Sequence, residues 1–210
     1  MMHPPHILKI NEIFPSIQGE GLRLGEPTLF IRFSQCNLKC SFCDTKYAWQ
    51  TGQKMTVAQA VKKVQKIQGS FPAEWVCLTG GEPLLQNIGE LVRTLKAEGF
   101  KIQVETNATI PPPIGVNWYT VSPKPPDYFY QPAFKKKANE VKIVVTTELD
   151  LAVLKKLRQD FPEKIPLLLQ PQSNNQASSK HALRLLKQAL KEGMKNIRLT
   201  AQIHKIFGCR

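Results

Sequence analysis

No apolar run in the 210-residue sequence approaches the roughly 18 residues that a membrane-spanning helix needs, which excludes a helical span. The start, Met1-Met2-His3-Pro4-Pro5-His6, carries no apolar signal core, so a cytoplasmic location is expected. Cysteine is scarce, and three of the five crowd into one loop, which argues against a disulfide framework and for a reducing compartment. No repeat or low-complexity tract occurs. A single domain over 1–210, long enough to bury a sizeable core, is the simplest organisation.

Acidic residues are also few: 16 against 29 Lys and Arg, a formal charge of +13. Such a balance raises nucleic acid as a partner. Where the charge falls weakens that idea. Lys62, Lys63 and Lys66, then Lys155, Lys156 and Arg158, then Arg184, Lys187 and Lys191 lie on the outer faces of predicted helices, where a solvated exterior accounts for them. Lys135-Lys136-Lys137 is too short for a binding arm. No direct nucleic-acid contact is expected.

What is present centres on Cys36-Asn37-Leu38-Lys39-Cys40-Ser41-Phe42-Cys43-Asp44-Thr45, directly after a strand-like run. Soft thiolates spaced Cys-x3-Cys-x2-Cys can turn inward on one loop and hold iron–sulfur or zinc. No second Cys or His pair follows at finger-like distance, so the spacing favours an open iron–sulfur site; zinc completed by a distant His is the alternative. Three ligands leave one iron of a 4Fe–4S cube for a ligand that is not protein. Cys77, in an apolar strand, reads as a buried structural thiol.

Strands are expected at Ile7 to Phe14, Thr28 to Phe33, Trp75 to Thr79, Lys101 to Glu105, Trp118 to Ser122, Val141 to Thr146, Pro166 to Gln170 and Asn196 to Leu199. Thr56-Val57-Ala58-Gln59 reads as a capping box before the stripe Val57, Ala60, Val61, Val64. Ile88, Leu91, Val92 and Leu95 mark a second helix that Gly99 stops. Leu149, Val153, Leu154 and Leu157 mark a third, and Ala182, Leu183, Leu186, Ala189 and Leu190 a long last one. Residues 125–138 read as irregular, and no full helix fits between 106 and 117. The alternation predicts an α/β fold: a mainly parallel sheet with helices outside, forming an incomplete, splayed barrel. Ligands collect at the carboxyl ends of such strands, where the unusual polar motifs are expected.

Several of those motifs have two readings. Arg32 is either a strand-end residue facing water or a bidentate clamp for a carboxylate. Gly80-Gly81-Glu82-Pro83 alone is an ordinary turn with Glu82 solvated, and Thr45 alone is a turn residue. His204 is either a surface histidine near the terminus or a group that closes a site.

The cysteine run, with Phe42 as the aromatic before the third thiol, resembles the radical S-adenosylmethionine (SAM) enzymes. The resemblance implies a radical SAM core domain in a compact variant, a 4Fe–4S cluster on Cys36, Cys40 and Cys43, and SAM on the free iron. SAM would also meet Phe42, Cys43, Asp44, Gly81, Glu82, Glu105, Ser122, Pro123, Lys124 and Gln170. Gln18-Gly19-Glu20-Gly21, Arg32, Cys43-Asp44-Thr45, Thr79 to Pro83, Ser122-Pro123-Lys124 and Ala201-Gln202-Ile203-His204-Lys205 together resemble the branch of that family that makes carboxydeazaguanine. That narrower resemblance implies a lyase converting 6-carboxy-5,6,7,8-tetrahydropterin to 7-carboxy-7-deazaguanine with release of ammonia, toward queuosine or archaeosine. The pterin would meet Ile17, Gln18, Gly19, Glu20, Arg32, Thr79 and His204, with Mg²⁺ on Thr45. No side chain would be catalytic in its own right, because the cofactor supplies the radical. A flavodoxin- or ferredoxin-type electron donor and a homodimer are further expectations. The rivals are an activase of a glycyl-radical protein and a basic RNA-binding protein with a structural metal.

Overall fold

The computed structural model describes residues 6–50 and 52–209; Met1 to Pro5, Thr51 and Arg210 lie outside the description. The chain groups into two compact units. The first comprises Met1–Ile17, Glu26–Thr106 and Pro113–Trp118, and the second Gln18–Gly25, Asn107–Pro112 and Tyr119–Arg210.

In the first unit, β1 (Ile7–Ile17), β2 (Pro27–Phe33), β3 (Gln53–Thr56), β4 (Trp75–Gly80) and β5 (Lys101–Thr106) lie in the order β3-β1-β2-β4-β5. β2, β4 and β5 are parallel, and their apolar residues Leu29, Ile31, Phe33, Val76, Leu78, Ile102 and Val104 are fully buried. Helix α1 (Val57–Gln68) starts as expected: Thr56 Oγ1 accepts from the Gln59 N–H while the Gln59 side chain accepts from the Thr56 N–H. Its buried residues are the expected Val57, Ala60, Val61 and Val64. Helix α2 (Gly89–Ala97) buries Leu91, Val92 and Leu95, and Gly99 follows it at φ +89°.

In the second unit, β6 (Trp118–Val121), β7 (Glu140–Val145), β8 (Leu167–Pro171) and β9 (Ile197–Leu199) are parallel in that order. Every residue of β8 is buried, as for a parallel strand covered on both faces. Helices α3 (Phe134–Lys137), α4 (Leu151–Asp160), α5 (Gln176–Lys191) and α6 (Ile203–Ile206) complete it. Among the described residues β3 pairs only with β1 and β9 only with β8, so both are free edges.

Four expectations need correction. β1 runs antiparallel to β2, pairing Ile17 with Pro27. The carboxyl end of β1 therefore lies beside the amino end of β2, not at the edge from which Cys36 departs. The long helix α5 buries Ser178, Ala182, Leu185 and Ala189, leaving Leu183 and Leu190 exposed. Ser178 rotates it, because its hydroxyl donates to the Val145 carbonyl (2.7 Å) and accepts from the Gln172 N–H (2.8 Å). Arg158 is not a solvated helix residue: one Nη donates to the carbonyls of Phe161, Pro162 and Ile165 at 2.7–2.9 Å, closing the turn after α4. The stretch 125–138, expected to be irregular, contains α3, which buries Phe134.

Candidate active site

The cysteine loop leaves the carboxyl end of β2, and its stem is fixed by backbone bonds. The Gln35 N–H donates to Ala48 O (2.8 Å), the Gly81 N–H to Phe33 O (3.0 Å), and the Glu82 N–H to Gln35 O (2.7 Å). This close approach explains the two glycines of the turn after β4. A Cβ on Gly81 would lie 1.9 Å from Gln35 O, and one on Gly80 2.3 Å from Phe33 O, with Gly80 at φ +126°.

Cys36, Cys40 and Cys43 are half-buried and in no disulfide, and the Thr45 N–H points at Cys43 Sγ (3.4 Å). Among the described residues no three His, Cys, Asp or Glu groups converge on one point. A cubane takes each thiolate on a separate iron, so three separated thiols on one loop suit it. Thr45 Oγ1 donates to Asp44 Oδ1 (2.9 Å), placing two hard oxygen donors side by side just after the third cysteine.

Around the turn after β4 the carboxylates take different roles. Glu82 is buried, contrary to the solvated reading, and its Oε1 accepts from the Leu84 N–H (3.0 Å) and the Thr106 hydroxyl (2.8 Å). Glu105 is half-buried at the end of β5 and accepts from the Thr79 hydroxyl (3.2 Å). Arg32 does not face open water. Its Nε donates to Glu12 Oε1 (2.7 Å), which also accepts from Tyr47 OH (2.8 Å), and its guanidinium lies over the rings of Phe14 and Tyr47. Nε is one of five donors, and among the described residues the Nη groups have no protein acceptor. This arrangement leaves the two Nη groups for a carboxylate.

In the second unit, Ser122 and Pro123 are buried at the end of β6. Ser122 Oγ donates to Lys142 O (2.6 Å) and accepts from the Lys124 ammonium. Gln170 is 2% exposed; its Nε2 reaches Pro171 O at 3.4 Å, while its Oε1 has no partner among the described residues. A buried, unfilled acceptor is costly unless a ligand donor meets it.

The turn after β1 is packed on the chain's last residues. Gly19 O accepts from the Ile203 N–H (3.0 Å), and a Cβ on Gly19 would lie 1.9 Å from His204 Nδ1. His204 is thus seated against the turn rather than loose on the surface. Gln18 is buried, and its Oε1 accepts from the Glu20 N–H (3.1 Å). Glu20 forms an ion pair with Lys142 and accepts from Gln202 Nε2 (2.6 Å).

Sequence reasoning missed Glu12, Tyr47, Glu140 and Lys142, and left Gln202 inside a motif without a role. Two of these had a visible signal: Glu140 and Lys142 are charges in the otherwise apolar run of β7. Glu12 and Tyr47 had none, since they meet Arg32 only through strand pairing and the fold of the cysteine loop.

The open, mainly parallel α/β arrangement with a three-cysteine loop after β2 is that of a radical SAM protein, and the profile of the Radical SAM superfamily matches residues 30–149. Over nearly its whole length the chain is similar to 7-carboxy-7-deazaguanine synthases. It is 36% identical to that of Aquifex aeolicus, covering 96% of this chain and 94% of the relative. It is 33% identical to that of Buchnera aphidicola, covering 96% and 98%. The crystal structure of QueE from Escherichia coli superposes with a TM-score of 0.76 at 26% identity, covering 93% of this chain and 94% of that one. The chain belongs to the 7-carboxy-7-deazaguanine synthase family of radical SAM enzymes. Membership implies a 4Fe–4S cluster and SAM. No helix among the described residues is long and apolar enough to cross a membrane.

Proposed function

We propose that this chain converts 6-carboxy-5,6,7,8-tetrahydropterin to 7-carboxy-7-deazaguanine with loss of ammonia, acting as one radical SAM domain over residues 1–210. The observation that carries the reading is the Arg32 fork, held on its Nε side by Glu12 and left without a protein acceptor at its Nη side among the described residues. An arginine so prepared in the same unit as the three-cysteine loop suits a small carboxylated substrate rather than a protein surface.

Cys36, Cys40 and Cys43 would hold the cluster. Bound there, cluster and SAM together would supply radical chemistry through reductive cleavage of the sulfonium. The backbone around Phe42 to Asp44 and Gly81 to Glu82 would seat the methionyl end, with Glu82 shaping the turn from within. Glu105, Ser122, Pro123 and Lys124 would meet the ribose, and the unfilled Gln170 Oε1 would accept from the adenine amine. Arg32 would clamp the substrate carboxylate while Ile17, Gln18, Gly19 and Glu20 meet the amide-like edge of the pterin. Thr79 would add a hydroxyl contact, and His204 would close the turn. Thr45, beside Asp44, would hold Mg²⁺ together with substrate oxygens and waters, orienting the substrate and offsetting its charge.

A flavodoxin- or ferredoxin-type donor, a homodimer and a cytoplasmic location complete the reading. The test is anaerobic incubation of the reduced, cluster-loaded protein with SAM and the carboxypterin. Formation of 7-carboxy-7-deazaguanine is expected. Methionine and deoxyadenosine without the deazaguanine would overturn the assignment.

A further inference from the structure

A polar row crosses the first unit on one face of its sheet. Glu12 of β1 pairs with Arg32 of β2, Arg32 pairs with Thr79 of β4, and the Thr79 hydroxyl donates to Glu105 of β5 (3.2 Å). Residues opposite one another in a ladder share a face, so Arg32 points to the side on which Thr79 lies. Its partner in that row is set by an irregularity in β1. Ile10 pairs with Phe33 and Glu12 with Arg32, which leaves Asn11 as an extra residue. In an unbroken ladder Asn11 would oppose Arg32; the bulge delivers a carboxylate there in place of an amide.

The bulge also reaches the segment that follows the cysteine loop. Asn11 Nδ2 donates to Tyr47 O (3.4 Å), and Glu12 Oε1 accepts from both Tyr47 OH (2.8 Å) and Arg32 Nε (2.7 Å). Tyr47 belongs to the short 3₁₀ turn Lys46–Trp49, and the next residue, Ala48, accepts from the Gln35 N–H (2.8 Å) at the loop's stem. The Arg32 guanidinium carbon lies 5.3 Å from the Phe14 ring centroid and 5.9 Å from that of Tyr47, and Phe14 is itself stacked on Phe30. Arginine carries much rotamer freedom; two rings and a carboxylate restrict it before any ligand arrives. The side chains of Glu12 and Arg32 are only 20% and 16% exposed, so an apolar pair would hold the sheet without the desolvation cost. A pair that served the sheet alone would need neither the bulge nor the tyrosine.

We infer, building on the proposed role of Arg32 as the carboxylate clamp, that Glu12 and Tyr47 are its positioning residues. They fix the guanidinium before substrate arrives and tie its geometry to the closed cysteine loop. Both act through Arg32 and need not touch substrate themselves.

Binding is measured anaerobically on the cluster-loaded, unreduced protein with SAM, where no turnover occurs. The readout is the Kd of the 6-carboxamide analogue divided by that of the carboxypterin, a measure of carboxylate preference that a merely structural role would not move. Arg32→Ala should lower this ratio on the order of 100-fold, through loss of charge-assisted hydrogen bonds. Glu12→Ala should lower it about 10-fold, as for an arginine that must be ordered at the moment of binding. Glu12→Gln keeps an acceptor for Nε and should stay within about threefold of the parent. In the Arg32→Ala background, adding Glu12→Ala should change the ratio by no more than about threefold, the non-additivity of residues that act as one. Tyr47→Phe removes a single hydroxyl from an exposed side chain, so it decides the matter even where Glu12→Ala does not fold; it should lower the ratio about threefold. An unchanged ratio in Glu12→Ala or in Tyr47→Phe, or an equal fall from Glu12→Ala in both backgrounds, would overturn the inference. An unchanged ratio in Arg32→Ala would instead overturn the clamp reading beneath it.

Discussion

The cysteine side of the first unit and the Glu20 side of the second are built by different means. Around Cys36 to Cys43 the holding is done by backbone: three main-chain hydrogen bonds fix the stem, and two glycines let the strands approach. The thiols themselves form no disulfide. Around Glu20 the side chains hold one another, with the buried Lys142 and Gln202 and the half-buried Asn174 forming a chain of charge and amide contacts. The contrast fits the roles proposed for the two sides. A cofactor brings its own reactivity, so its loop need only be shaped and left open. Recognition of a polar heterocycle must come from the protein, and that requires fixed donors and acceptors.

If the comparison is right, removing a ligand on the cysteine side should have the largest effect. Cys40→Ala should abolish both deazaguanine formation and uncoupled SAM cleavage, and an anaerobic iron and sulfide count should fall with them. Arg32→Ala should separate the functions: iron content and methionine release persist, while product formation drops by about 100-fold or more, as for loss of a charge-assisted pair. Normal turnover in that variant would remove the carboxylate clamp. Gly81→Ala probes the backbone side directly. Its Cβ meets the Gln35 carbonyl, so a stability loss of about 2 kcal/mol in denaturant melts is expected, with lower iron loading.

Smaller effects should leave both sides intact. Hydrogen bonds from Lys135 and Tyr130, in that order, hold the Asp160 carboxyl below its usual range. A depressed carboxylate stabilises the folded state above its unfolded value, and that contribution disappears as pH falls through the folded one. Asp160→Asn should therefore cost roughly 1 kcal/mol at neutral pH, and the gap from the parent should close below about pH 4. Thr56→Ala removes half of the α1 capping box and should cost about 0.5–1 kcal/mol in thermal melts, with no change in turnover.

Local signals were read well where the cause is local. The capping box at Thr56, the stripe of α1 and the stop at Gly99 depend on residues within a few positions of one another. Errors arose where a distant partner decides. Apolar spacing along α5 permitted a face through Leu183, Leu186 and Leu190, but the hydrogen bond from its own Ser178 hydroxyl to Val145 of β7 turned the helix. Arg158 looked like a helical exterior until three carbonyls from the next turn came within its reach. Tertiary hydrogen bonds overrode the periodicity in both cases.

The sequence by itself determined the cysteine loop, the glycine turn and the alternation that makes an α/β sheet, because each is written in contiguous residues with a fixed spacing. Only the tertiary structure decided that Glu12 and Tyr47 orient Arg32, and that Lys142 and Gln202 hold Glu20. Those pairs are separated by 20 and 35 positions between Glu12 and its two partners, and by 122 and 182 between Glu20 and its two. Contacts at such separations depend on strand pairing and chain return, which no local pattern encodes.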